Sequence, residues 1–231
     1  MAGLTAGGPN VDVSLLYEVN GWSMRAPGWV DRTIGFVGEY GLLLAIVLLM
    51  LWCWRGVRRS GGAVAVEGFA ALVWAPLAAG IALLVNIPLR EFVSRPRPFR
   101  QHDGLEVLVG GKTDYSFVSD HATLAMALGV GLFMVNRKLG FFGIGMALLE
   151  GFLRVYMGVH YPTDVIGGLA LGTAVVLLFA PLAMALLTPL ARAVAGSRRA
   201  GWLVRAKGAY EPARPVDLPR TPANRENDLA A

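Results

Sequence analysis

The run GFAALVWAPLAAGIALLVNIPL, Gly68 to Leu89, carries no charge over 22 residues. A helix of about 20 mainly apolar residues crosses the hydrocarbon of a bilayer, so this stretch spans without help from its flanks. Pro76, Asn86 and Pro88 fall inside it, as membrane helices tolerate. Outward from this run the same criterion predicts four more spans: Thr33 to Trp54, interrupted by Glu39; Ser119 to Asn136; Leu139 to Tyr156, with Glu150 and Arg154 inside; and Val165 to Ala191, with Pro181 inside. The Ser119 and Leu139 runs reach spanning length only with their polar ends included. Their charges are therefore expected to face protein or a water-filled pocket. The expected fold is all-α, a polytopic bundle of about five transmembrane helices.

Composition agrees. The chain has 231 residues, 55% hydrophobic and 16% charged, with a mean hydropathy of +0.53; a soluble domain carries about 25% charged residues. Three regions are expected: an N-terminal segment 1–32, a membrane domain 33–191 and a basic tail 192–231. In the first, Val11, Leu15, Val19 and Trp22 recur at helical spacing. They suit either an amphipathic helix in the membrane interface or a packed helix of the fold. Met1 to Asn10 lacks the basic and apolar regions of a cleavable signal. Of the net charge of +5, most lies in Arg192 to Ala231, with eight Lys/Arg against four Asp/Glu. Beside a membrane that excess favours anionic lipid surfaces over nucleic acid. From Gly208 the tail is polar and proline-bearing and reads as mostly disordered. The single cysteine, Cys53, rules out an intramolecular disulfide.

The connections orient the bundle. Arg55, Arg58 and Arg59, then Arg137 and Lys138, then Arg192, Arg198, Arg199 and Arg205 fall on one side of the alternating spans. The positive-inside rule makes that side cytoplasmic, with the C-terminal tail. The segment from Arg90 to Phe117 and the turn at His160 then lie outside. Arg90, Arg95, Arg97, Arg100 and Lys112 run against this bias, and binding an anion explains cations there.

Three motifs supply chemistry. In His160-Tyr161-Pro162-Thr163-Asp164, Pro162 suits a first helical turn, and one turn brings positions i and i+4 together. Asp164 then accepts from one imidazole nitrogen of His160 and leaves the other free to attack phosphorus. An isolated pair of this kind is more often structural; its place at a membrane boundary, six residues after Arg154, favours chemistry. Ser119-Asp120-His121 precedes an apolar run, with Ser119 as a candidate N-cap. Helix-start amides attract anions, and His121 is placed to donate a proton. Arg90 and Arg97, seven apart, can share a helix face, and with Arg154 offer forks for phosphate. Glu150 is spaced to orient Arg154. Arg95, Arg100 and His102 read as solvated loop residues.

These motifs resemble the type 2 phosphatidic acid phosphatase superfamily. Its first motif is a basic residue, six residues, then Arg-Pro, matched by Arg90 through Arg97-Pro98. Its second, Pro-Ser-Gly-His, is matched by Val118-Ser119-Asp120-His121, and its third by Leu153-Arg154 through His160 to Asp164, with leucine for serine. The resemblance implies His160 as nucleophile forming a phosphohistidine, Asp164 as its orienter and His121 as general acid. It places Arg90, Arg97, Arg154, Ser119 and Asp120, with the local amides, around the phosphoryl oxygens. It requires no metal or cofactor. The Ser-Asp-His-Ala form looks like the bacterial undecaprenyl diphosphatase branch associated with bacitracin resistance, which implies a lipid diphosphate substrate outside the cytoplasmic membrane. Competing readings are a phosphatase for phosphatidylglycerophosphate, phosphatidate or another polyprenyl phosphate, and a lipid carrier or scaffold that retains the pocket. A metal site from His121, His160 and Asp164 is a further alternative. A vanadate haloperoxidase shares the cradle, but those relatives are soluble.

Overall fold

The computed structural model describes residues 10–206. Its eight α-helices are α1 (Val11–Ser23), α2 (Gly28–Phe36), α3 (Leu42–Ser60), α4 (Gly62–Val93), α5 (Pro98–Gln101), α6 (Asp120–Val135), α7 (Arg137–Tyr156) and α8 (Pro162–Gly196). No strand occurs among the described residues. A π turn, Val37–Gly41, joins α2 to α3, so the first span is continuous from Gly28 to Ser60. The first span, the helix of α4 and those of α7 and α8 are long and apolar enough to cross a membrane. The fifth predicted span, α6, has 16 residues and measures about 24 Å. It stays short because protein surrounds it: α4, α7 and α8 enclose it, and Ala122, Ala125, Ala127 and Leu132 are fully buried.

Small residues make that enclosure possible. A Cβ on Gly131 of α6 would stand 2.4 Å from the Ala75 Cβ of α4, and one on Gly172 of α8 would stand 2.5 Å from the Thr123 carbonyl of α6. Close backbone approach through small residues is how helices associate where lipid is as apolar as the core. Large apolar side chains, among them Trp52, Leu84, Leu178 and Leu186, point outward instead.

The helices alternate in direction, which sorts the charges. The α3–α4 and α6–α7 junctions share one end with the C-terminus of α8: one cavity is lined by Arg55, Arg59 and Asn136, and Trp54 Nε1 donates to the Leu203 carbonyl. At the other end lie the π turn, the last turns of α4 and α7, and the first turns of α6 and α8.

Two expectations change. Helix α1 docks through Leu16 and Asn20, both buried, against α7 and α8. Of the stripe Val11, Leu15, Val19 and Trp22, Val19 packs partly buried against the core, while Val11, Leu15 and Trp22 remain exposed. The tail does not begin at residue 192: α8 continues to Gly196, and the chain folds back so that Val204 is fully buried beside Ala65 and Val66. The guanidinium of Arg58 lies over Trp54 and Trp202, at 4.6 and 5.6 Å from the ring centroids. Met1 to Pro9 and the polar stretch from Gly208 lie outside the described residues.

Candidate active site

His160 sits in the turn between α7 and α8, almost wholly buried. Its Nδ1 is 2.9 Å from the Ser116 carbonyl, which only accepts, so Nδ1 carries the proton. Its Nε2 faces Arg97 Nη1 at 3.3 Å; a guanidinium only donates, so Nε2 presents its lone pair. Burial pushes the His160 imidazolium below its ordinary range; Asp164 opposes this, while Arg97 and Arg154 reinforce it. The imidazole is therefore neutral at neutral pH.

The expected hydrogen bond from a His160 ring nitrogen to Asp164 does not form. Asp164 Oδ2 lies 3.7 Å from Nδ1, beyond hydrogen-bond reach. Instead Oδ2 accepts from the Tyr161 amide at 2.9 Å, and Oδ1 accepts from Arg95 Nη1 at 2.9 Å. Asp164 thus closes the first turn of α8 and acts on His160 through space. Arg95 is correspondingly not a solvated charge. It also binds Asp12 at 2.5 Å and the Thr163 hydroxyl at 2.7 Å, and lies 3.6 Å over the Tyr161 ring. Asp12 in turn accepts from the Thr163 amide at 2.9 Å, which fastens α1 to the start of α8. Arg100 holds the Thr113 carbonyl at 2.7 Å, and His102 packs edge-on against Tyr17 and Tyr161. Arg100 is exposed, as expected, and His102 is partly buried.

Arg90 and Arg97 converge, but not along one helix face. Helix α4 stops at Val93, Ser94 takes a left-handed conformation (φ 48°), and Arg97 stands in extended backbone ahead of Pro98. Both arginines meet Asp114: Arg90 Nη1 at 2.7 Å on one oxygen, Arg97 Nη2 at 2.8 Å on the other. Arg97 Nη1 also donates to the Val159 carbonyl at 3.0 Å. The Nε of Arg90 is buried without a partner.

Ser119 precedes α6, yet its hydroxyl caps nothing; Oγ is buried and unpartnered. Its backbone is fixed instead, N–H to the Asp164 carbonyl at 3.1 Å and carbonyl to Thr123. A Cβ on Gly168 would stand 2.7 Å from that Ser119 carbonyl, so only glycine lets α8 pack this closely on the Ser119 backbone. Asp120 turns its carboxylate to Arg90 Nη2 at 2.5 Å and to Asn86 at 2.7 Å. Asn86 also grips the Val118 carbonyl at 3.0 Å. The Ser119 hydroxyl and Arg90 Nε are buried donors of this cluster without a protein partner, as are the Ser23 hydroxyl and Arg58 Nε elsewhere among the described residues.

Arg154, fully buried, donates to Glu150 at 2.8 Å, to Glu39 at 2.8 Å and to the Gly38 carbonyl. The Glu150 pairing is the one its spacing predicted. Glu39, presented by the π turn, also faces Lys112 at 3.3 Å and His121 Nε2 at 3.8 Å. Single π turns inside α-helices are frequent at functional sites. The sequence carried a signal for Glu39 and Asn86, since each is a polar residue inside an apolar run. It carried none for Asp114. Among the described residues no group of three or more His, Cys, Asp or Glu is arranged to hold a metal ion, so the metal alternative finds no support in the geometry.

A groove of about 480 Å³, lined by Gly80, Leu83, Leu84, Ile87, Arg90 and Asp120, follows α4 up to this cluster. The arrangement joins an imidazole lone pair, an arginine cradle and an apolar approach.

A family model described as the PAP2 superfamily matches residues 70–198. The undecaprenyl-diphosphatase BcrC of Bacillus subtilis is 34% identical over 152 residues, covering 65% of this chain and 73% of its own. The decaprenylphosphoryl-5-phosphoribose phosphatase of Mycobacterium tuberculosis is 28% identical over 170 residues, covering 72% and 88%. The crystal structure of a transmembrane PAP2-type phosphatidylglycerolphosphate phosphatase from Bacillus subtilis superposes with a TM-score of 0.52 at 23% identity, over 77% of this chain and 88% of that one; that likeness is one of fold.

Proposed function

The chain belongs to the PAP2 superfamily, and we propose that it is a multi-pass lipid phosphatase that removes the terminal phosphate of undecaprenyl diphosphate through a phosphohistidine. The observation that carries the proposal is the single imidazole whose proton is fixed on one nitrogen by the Ser116 carbonyl while the other nitrogen faces Arg97.

His160 Nε2 attacks the terminal phosphorus, the bond to the bridging oxygen breaks, and that oxygen takes its proton from the imidazolium form of His121, whose Nε2 stands 3.8 Å from Glu39. Water then attacks the phosphohistidine, His121 takes the proton from it, and inorganic phosphate leaves. Arg90, Arg97, the Ser119 hydroxyl and the first amides of α6 hold the phosphoryl oxygens, where charge develops. Arg154 has five N–H donors, and three are engaged by Glu150, Glu39 and Gly38; the other two are available to the phosphate. Asp164 keeps the reacting ring in place electrostatically.

The groove along α4 supports a substrate that arrives from the bilayer, and likeness to BcrC supports the undecaprenyl chain. Arg55, Arg58, Arg59, Arg137 and Lys138 gather at the end opposite the site, which by the positive-inside rule supports an extracytoplasmic site and a cytoplasmic C-terminus.

The test is phosphate release by detergent-purified protein from undecaprenyl diphosphate, phosphatidylglycerophosphate and phosphatidate in parallel. Undecaprenyl diphosphate is expected to give the highest kcat/KM, and His160→Ala to insert normally and release nothing. Preference for a glycerolipid refutes the substrate; turnover by His160→Ala refutes the nucleophile. Binding without release by the wild type returns the carrier reading.

A further inference from the structure

We propose that Asp114 is a built-in competitor for the phosphoryl group, a specificity-determining carboxylate that occupies Arg90 and Arg97 until a headgroup of higher charge displaces it. The proposal rests on the reading above in which these arginines hold the substrate phosphate.

The Asp114 carboxylate is bound much as a phosphate would be. One oxygen takes Arg97 Nε at 3.2 Å and Nη2 at 2.8 Å; the other takes Arg90 Nη1 at 2.7 Å. Guanidinium forks match carboxylate and phosphate alike, so the two anions compete for the same donors. Burial alone raises the Asp114 carboxyl, but the hydrogen bond and charge of Arg97, with the charge of Arg90, more than offset it and hold the group below its usual range. At neutral pH the competitor is charged.

Its placement allows it to leave. The Asp114 side chain is 40% exposed, against 16% for Arg90 and 4% for Arg97, so the carboxylate covers the arginines from the open side. The backbone on either side is fastened, by Arg100 to the Thr113 carbonyl at 2.7 Å and by the Ser116 amide to the Arg95 carbonyl at 2.8 Å. The motion required is therefore a side-chain rotation. The Asp114 carbonyl keeps its own contact with Arg97 Nε at 3.2 Å, which orients the arginine after the carboxylate has gone.

Competition of this kind discriminates by charge. A terminal phosphate offers close to two negative charges and three acceptor oxygens; a phosphodiester headgroup offers one charge and two free oxygens. The membrane around the site presents phosphodiester lipids in excess. A resident single-charge anion equals them and yields to the terminal phosphate, and its return to the arginines assists departure of inorganic phosphate.

The test uses the full-length protein in detergent and titrates inorganic phosphate and short-chain phosphatidylglycerol by calorimetry, so it needs no turnover. Asp114→Asn is expected to lower the Kd for phosphate about tenfold, and to make phosphatidylglycerol a measurable competitor where wild type binds none. Asp114→Ser serves as the second variant, with the same expectation. Unchanged or weakened phosphate binding in both variants overturns the proposal and makes Asp114 a strut for the arginines. Phosphate binding that Arg97→Lys leaves unaltered overturns this proposal together with the arginine cradle on which it rests, and so separates the two failures.

Discussion

Replacing Arg154 with alanine is expected to unfold the site before it reports on catalysis. The guanidinium is fully buried and engages Glu150, Glu39 and the Gly38 carbonyl. Removing one member of a buried ion pair costs about 3–5 kcal/mol, because the partner is left charged without compensation. Glu150 is fully buried, so its pair sits at the top of that range; the Glu39 side chain is 18% exposed, and solvent screens part of its loss. A change of 1 kcal/mol moves the midpoint by about 2–4 °C in a chain of this size, so Arg154→Ala is expected to melt roughly 6–20 °C lower. The assay is thermal unfolding in detergent, run beside phosphate release. The decisive comparison is the triple variant Arg154→Met, Glu150→Met, Glu39→Met. Apolar residues of similar volume often replace a buried ion cluster without net loss, so the triple variant is expected to recover most of the stability while remaining inactive. The reasoning is refuted if Arg154→Ala melts with the wild type, or if neutralising the two glutamates recovers nothing.

Three further outcomes follow from the same geometry. The acid limb of kcat/KM is expected below the ordinary histidine value of 6.5, since burial, then Arg97 and Arg154, depress His160 against Asp164. The sign for stability is the same: the unfolded chain takes up a proton as pH falls through 6.5 and the folded chain resists it, so unfolding becomes easier in that window and not above it; pH-resolved kinetics and melting check both. Asn86→Leu removes the clamp on Val118 and Asp120 and leaves buried backbone groups unpaired, for a loss of about 2–3 kcal/mol, with kcat falling more than KM rises. Gly168→Ala puts a methyl 2.7 Å from the Ser119 carbonyl; it is expected to weaken phosphate binding by shifting the Ser119 backbone and with it the hydroxyl, whereas Gly145→Ala, with open space around it, is expected to leave phosphate binding unchanged.

The spans were legible because hydrocarbon imposes one simple demand, sustained apolarity, and Gly68 to Leu89 meets it plainly. The convergence of Arg97 and His160 was legible because their motifs have fixed internal spacing. The orientation of α1 was not. In a soluble protein the apolar stripe marks the buried face; beside a membrane, Val11 and Trp22 are stable on the outside, and Asn20 earns burial through the Glu106 and Tyr156 carbonyls. The relation of Arg90 to Arg97 was misjudged because a seven-residue spacing assumes a helix throughout, and the left-handed Ser94 ends it midway. Asp12, Asp114, Asp120 and Glu39, as partners of these arginines, were the largest omission. Sequence reading found cations on the unexpected side and inferred an external anion. The structure shows Asp12 and Asp164 on Arg95, Asp114 and Asp120 on Arg90, Asp114 on Arg97, and Glu39 and Glu150 on Arg154. Such a cluster is stable with no ligand only because internal anions neutralise it. The inference from unpaired cations therefore rested on an incomplete premise, since each of these arginines already has an internal anion. If these arginines hold the phosphate as proposed, its arrival is an exchange of anions, and the affinity of the site is set by how readily the resident carboxylates give way.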